Sequence, residues 1–167
     1  SFLFSGGGNI SLINTNFYSN GKVGQLSSST MHIRNGDWEG SQHGLHTEYS
    51  FVSIDKLNIS IGNTHGTALR FLGSTISILE GLNLSHDAQW SDSTSIGLQS
   101  IWSDITADYL NVSGFSTGVS CETTSTLKID YLSIVQNTNI GYFQSCSDSQ
   151  ISTLFTNSGT NGLYSKN

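Results

Sequence analysis

One unit recurs along this chain, and it limits what the chain can fold into. Thr126 to Ser147 reads TLKIDYLSIVQNTNIGYFQSCS. The frame is a Ser, Thr or Asp start, an Ile, a Leu three residues on, and an apolar residue two further. A polar corner, a Gly and a short apolar strand follow. Ile129, Leu132, Ile134 and Gly141 carry this copy, and Ile151, Leu154, Thr156 and Gly162 carry the next. Ile54, Leu57, Ile59 and Gly66 carry an earlier one. Leu110, Leu132 and Leu154 follow one another at steps of 22 residues, as do Gly44 and Gly66. Self-similarity at a fixed step of this length is the signature of a solenoid.

The unit is built for strands. Each copy holds two or three runs with apolar residues at alternate positions, which is the strand period. The runs are rich in Ile, Leu, Val, Thr and Tyr, which suit a pleated surface. Corners are Ser, Asn, Thr, Asp and Gly, which turn a chain through local hydrogen bonds or positive φ. A strand–helix–strand unit needs about 30 residues or more, so a step of 22 excludes it. A leucine-rich repeat needs a denser Leu pattern. One copy cannot bury its own apolar face, but stacked copies share a continuous core. The expectation is an all-β, single-stranded parallel β-helix of about seven rungs of roughly 22 residues, residues 1–167 forming one segment.

Composition narrows the classes further. Only 11% of the 167 residues are charged and there is no Pro. The regular apolar positions argue against the disorder that such a polar composition would otherwise suggest. A net charge of −6 makes nucleic acid an unfavourable partner. No stretch approaches the roughly 18 apolar residues of a membrane helix. Ser1 to Gly8 reads as the end of a copy, and the last copy stops at Tyr164 without a polar cap. The expectation is therefore a piece of a longer chain. Cys121 and Cys146 sit at different offsets from their glycines, three and five residues, and are expected to be free thiols.

The copy from Thr75 to Ser103 is stretched: Leu82 to Leu110 is 28 residues. The excess falls in SHDAQWSDSTS, Ser85 to Ser95. An insertion in a solenoid maps to a loop on one face, often the binding face. It carries His86, Asp87, Trp90 and Asp92, and Trp90 is an indole suited to stacking on a sugar ring. Sequons occur at Asn9, Asn58, Asn83 and Asn111. Three of these Asn follow the repeat Leu, which favours an outward amide ladder over glycosylation sites.

The units FVSIDKLNISIGNTHGTALRFLGS, DITADYLNVSGFSTGVSCETTS and TLKIDYLSIVQNTNIGYFQSCS resemble the right-handed parallel β-helix of the pectate-lyase-like superfamily. Within it the chain is most similar to the central shaft of a bacteriophage tailspike. The resemblance covers nearly the whole chain, and its motif is structural. It implies a homotrimer that cuts or binds bacterial capsular or O-antigen polysaccharide, by hydrolysis or by lyase elimination, without a cofactor. It implies a place on the virion tail, outside the cell; a secreted or cell-surface protein is the alternative. A non-catalytic shaft or adhesin module is the rival function. No catalytic residue carries over by motif.

Candidate site residues therefore come from the repeat frame. The outward position after the repeat Ile reads Arg34, Asp55, Leu79, Asp108, Asp130, Ser152. Asp108 and Asp130 should stack about 4.8 Å apart. A close carboxylate pair splits into an acid and a base, as glycosidases require; it also suits calcium, or is simply a solvated ladder near Lys128. A second constellation gathers Glu39, His43, His65, His86, Asp87, Trp90 and Asp92, with His43 and His65 expected as neighbours. Its groups serve for acid–base work or for holding substrate, or are ordinary solvated corner residues; no zinc spacing is present. Glu48 and Arg70 should pair, as a salt bridge or as a catalytic acid with its partner.

Overall fold

The computed structural model describes residues 2–40, 42–62, 65–86, 94–137, 139–158 and 161–165. Thirteen strands follow one another: β1 (Phe2–Ser5), β2 (Asn9–Ser19), β3 (Lys22–Ser27), β4 (Thr30–Gly40), β5 (His43–Glu48), β6 (Phe51–Ile61) and β7 (Thr67–Leu72), then β8 (Thr75–His86), β9 (Ile96–Ile101), β10 (Asp104–Ser113), β11 (Thr117–Asn137), β12 (Ile140–Ser158) and β13 (Asn161–Ser165). Neighbours in space are one turn apart in sequence, and the pairings are parallel. The fold is thus a parallel β-solenoid of about six turns, close to the seven expected, with no helix among the described residues.

From β1 to β10 each turn has a short strand and then a long one, whose counterparts run on as a single strand in β11 and in β12. The long strand bends in its middle. The bend shows as a break in alternation, where two successive residues face out: Arg34–Asn35, Leu79–Glu80 and Asp108–Tyr109. Asn14 and Asn35 take a left-handed conformation there (φ 53° and 55°), which Asn tolerates better than most residues. The bend gives the coil three faces. The short strands make one; the first and second halves of the long strands make the other two.

Inward residues stack from turn to turn as the frame demands. Ile33, Ile54, Ile78, Ala107 and Ile129 form one buried column, Ala107 taking the place of the expected Ile, and Leu57, Leu82, Leu110 and Leu132 form another. The columns fade at the last turn. Leu154 pairs with Leu132 yet is 41% exposed, and Ile151 is half-buried, because no further turn covers them among the described residues. Tyr142 is buried in the core, in register with Val119.

A buried serine ladder runs along the corner between short and long strands. The amide of Ser29 donates to Ser50 Oγ, that of Ser50 to Ser74, of Ser74 to Ser103, and of Ser103 to Ser125, at 3.0–3.2 Å. The Oγ atoms of Ser29, Ser50, Ser74 and Ser103 each donate to the carbonyl two residues back, and that of Ser125 to the carbonyl of Glu122. The hydroxyls thereby satisfy backbone groups that a corner takes out of the sheet ladder.

Two expectations are corrected by the register. Gly44 does not align with Gly66. β5 meets β7 with His43 opposite Thr67 and Leu45 opposite Leu69, so Gly44 faces Ala68. The repeat glycine column is Gly44, Gly97, Gly118, Gly141 and Gly162, with Ala68 in the third turn. A Cβ at Gly97 would lie 2.3 Å from Val112 and 2.5 Å from the Gly118 carbonyl, so the core is too narrow there for a larger residue. The cysteines are the second correction. Cys121 and Cys146 form a disulfide, with Cα atoms 5.4 Å apart. Offsets of three and five differ by two, so both side chains project from the same side of their strands. Cys121 stands opposite Gln144, and Cys146 is its diagonal neighbour.

Candidate functional site

The face made by the second halves of the long strands carries two outward columns. One reads Asn16, Asp37, Asn58, Asn83, Asn111 and the other Tyr18, Glu39, Ser60, Ser85, Ser113. They follow from period-two alternation around the buried Trp38, Ile59 and Leu84. The amide ladder expected from the Asn pattern forms between Asn83 and Asn58, where Asn83 Nδ2 donates to Asn58 Oδ1 at 2.8 Å. It continues to Asp37, whose Oδ1 accepts from Asn58 Nδ2 at 2.6 Å; Asn111 shares the register of Asn83.

Between these columns lies a shallow groove of about 400 Å³, lined by Asn16, Tyr18, Asp37, Glu39, Asn58 and Ser85 among others. Tyr18 is 71% exposed and stands opposite Glu39. Asp37 and Glu39 project outward two residues apart on β4, a separation of about 7 Å along a strand. The groove therefore offers an aromatic edge, amides locked in orientation by their neighbours, and two exposed carboxylates. Ser85 lines it at its far end, and the inserted stretch begins there. Trp90, Asp87 and Asp92 of that stretch lie outside the described residues. His86 is buried and its ring packs 5.3 Å from that of Phe115, so it is a core residue rather than an outward ligand.

The other candidates are distributed over the remaining faces. Asp108 and Asp130 stand opposite each other, between the pairs Ala107–Ile129 and Tyr109–Tyr131, and both are exposed. They sit on the convex bend, beside Tyr109 and Tyr131, whose rings stack at 5.1 Å and 4°. This ridge borders the groove-bearing face on the side away from the insertion. Asp55 is engaged: His32 Nε2 and Arg34 Nε each lie 3.1 Å from its oxygens. Those hydrogen bonds, His32 first and Arg34 second, hold the Asp55 carboxyl below its usual range, which suits a structural anion better than a general acid. Among the described residues no three carboxylate, imidazole or thiol groups converge as a metal cage requires.

Two expected pairings do not form. Glu48 stands opposite Leu72 while Arg70 stands opposite His46, so Glu48 and Arg70 make no salt bridge. His43 and His65 are not in register either. His43 Nδ1 accepts the amide of Thr67 at 3.1 Å, and His65 Nδ1 lies 2.8 Å from Thr94 Oγ1. The reason is the same as for Gly66: β7 is displaced by two residues relative to a 22-residue step.

Some exposed groups escaped the sequence frame. Tyr49 and Trp102 are 61% and 56% exposed, both at the corner just before the serine ladder, with φ of 48° and 50°. The Tyr49 ring lies across Gly73, in the turn between them. Their signal was the aromatic–Ser dipeptide recurring where other turns have Ser–Ser, Gly–Ser or Thr–Ser. No protein-family model, curated protein or solved structure matches the chain.

Proposed function

We propose that this chain is a glycan-recognition segment of an extracellular β-solenoid, of the right-handed kind it resembles. Its ligand is bacterial capsular or O-antigen polysaccharide. The observation that carries this reading is the groove lined by Asn16, Tyr18, Asp37, Glu39, Asn58 and Ser85. Sugars present hydroxyls to fixed amides and carboxylates and apolar ring faces to aromatics. In this reading Trp90, in the insertion that follows His86, stacks on a sugar ring. The Cys121–Cys146 disulfide supports an oxidising, extracellular location. By its resemblance to phage tailspikes, the parent protein is a homotrimer on a virion tail.

Depolymerisation is the second reading. Asp37 and Glu39, two exposed carboxylates on β4, both line the groove and supply the acid and base in this reading. Asp108 and Asp130, on the neighbouring ridge, are the alternative carboxylate pair, and calcium held between them is a further option for that pair.

The test uses the chain as it stands on a panel of bacterial capsules, measuring binding and the release of reducing ends. Trp90→Ala and Asn58→Ala should each weaken binding about tenfold. Glu39→Gln, or Asp108→Asn with Asp130→Asn, should abolish turnover with binding kept. Binding unchanged in every groove variant would remove the reading and leave a plain shaft.

A further inference from the structure

The face made by the short strands has a different character. Lys22 on β3 stands opposite His43 on β5, and His46 on β5 stands opposite Arg70 on β7. The two imidazole rings lie 4.8 Å apart. Lys22 and Arg70 are exposed, and neither has a carboxylate partner among the described residues. In a chain with six Lys and Arg against twelve acids, two cations thus meet two imidazoles on one face, with no salt bridge to either cation among the described residues. Glu48, the acid nearest in sequence to His46, stands opposite Ser27 and Leu72. Glu122, further along the sheet, is engaged by Gln99 and Ser120.

We propose that Lys22, His43, His46 and Arg70 form an oxyanion subsite that takes the carboxylate of an acidic sugar unit, such as a uronate. The inference deepens the glycan reading and rests on it: it makes the polysaccharide an acidic one and gives it a second contact face.

The chemistry of each group fits. The His43 Nδ1 accepts the Thr67 amide, so the neutral ring carries its proton on Nε2 and donates from there. The buried Nε2 of His46 has no hydrogen-bond partner among the described residues, and a buried polar atom without one is unfavourable. Arg70 supplies a planar fork that matches a carboxylate, and Lys22 a mobile point charge. Burial, together with the charges of Lys22 and Arg70, pushes both imidazoles below their ordinary range, His46 to about 3. Both cations therefore act on both rings, and among the described residues no carboxylate forms a salt bridge with either cation.

The test follows the ring resonances of His43 and His46 by NMR in the folded chain at neutral pH. Three probes are used at matched ionic strength: an oligogalacturonide, a neutral dextran oligosaccharide of equal length, and sodium sulfate. The expected result is that the oligogalacturonide shifts both rings at a concentration at least tenfold lower than sulfate, while dextran leaves them unmoved. Arg70→Gln and Lys22→Gln, both at exposed positions, should each weaken that binding about tenfold while the melting curve stays in place. Silent rings, an equal response to dextran or sulfate, or unchanged affinity in both variants would overturn the proposal. Neutral-glycan binding that is lost in Asn58→Ala, with silent rings in the wild type, would leave the groove reading standing and remove only this one. Binding of none of the oligosaccharides tested on either face would remove both.

Discussion

Asn83 donates its side-chain amide to Asn58 across 2.8 Å, one turn of the coil away, and Asn58 passes the bond on to Asp37. The ladder fixes which amide atoms face the groove, because each Asn has its carbonyl and amino ends assigned by its neighbours. Pre-ordered amides lose little freedom when a sugar binds. Asn58→Ala should therefore weaken glycan binding more than it weakens the fold. The expected loss of stability is about 0.5–1.5 kcal/mol, the usual range for one hydrogen bond. Chemical denaturation and glycan titration of the same variant check the two effects separately.

The serine ladder should matter more to stability. Ser74 Oγ accepts from the Ser50 amide and from Thr47 Oγ1, and donates to the Leu72 carbonyl, all in a buried corner. Ser74→Ala leaves those groups without a partner, at about 1–3 kcal/mol. Ser74→Thr keeps the hydroxyl and should recover part of the loss. Urea melts of the pair provide the comparison; equal stability in Ser74→Ala and wild type would show that the ladder is not stabilising.

The Cys121–Cys146 bridge joins β11 to β12 across 25 residues. A closed loop of that size stabilises by about 3–4 kcal/mol in the chain-entropy treatment. Titration of the denatured, unreduced chain with a thiol reagent should find no free thiol. Reduction should lower the melting temperature and raise hydrogen exchange in the last turns first.

The pH dependence follows from His46. Its pKa is about 3 in the fold, driven first by burial and then by His43, Lys22 and Arg70. The unfolded ring titrates near 6.5. Between these values the unfolded state binds a proton that the folded state refuses, so stability falls as pH drops from about 6.5 towards 3. The slope is at most about 1.4 kcal/mol per pH unit from this group. His46→Gln should flatten the stability profile in that window, as measured by denaturation at successive pH values.

Trp102 holds a left-handed backbone conformation with φ of 50°, unfavourable by about 1–2 kcal/mol for a residue with a side chain. Gly73 occupies the matching corner one turn earlier. Trp102→Gly should therefore stabilise the fold, or leave it unchanged, despite removing a large ring that is half in solvent. A clear destabilisation in thermal melts would show that the indole packs more than its exposure implies.

The alternating residues of each strand settled which side chains are buried before any coordinates. Ile54, Ile78 and Ile129 point in, and Asp55, Asn58 and Asp130 point out, because strand side chains alternate with period two. The stacked Asn58 and Asn83 were legible for the same reason. Register was not. A slip of one residue would turn an apolar face to water and is excluded by the pattern, but a slip of two preserves every inside and outside position. That degeneracy let Gly66 stand for Ala68, paired Glu48 with Arg70, brought His43 beside His65, and kept Cys121 apart from Cys146. Only the stacked coil, with Leu45 on Leu69 and Thr47 on Phe71, chose among the even slips. It did so by packing volume across a narrow core, which depends on residues distant in sequence. The same choice set Lys22, His43, His46 and Arg70 together on one face.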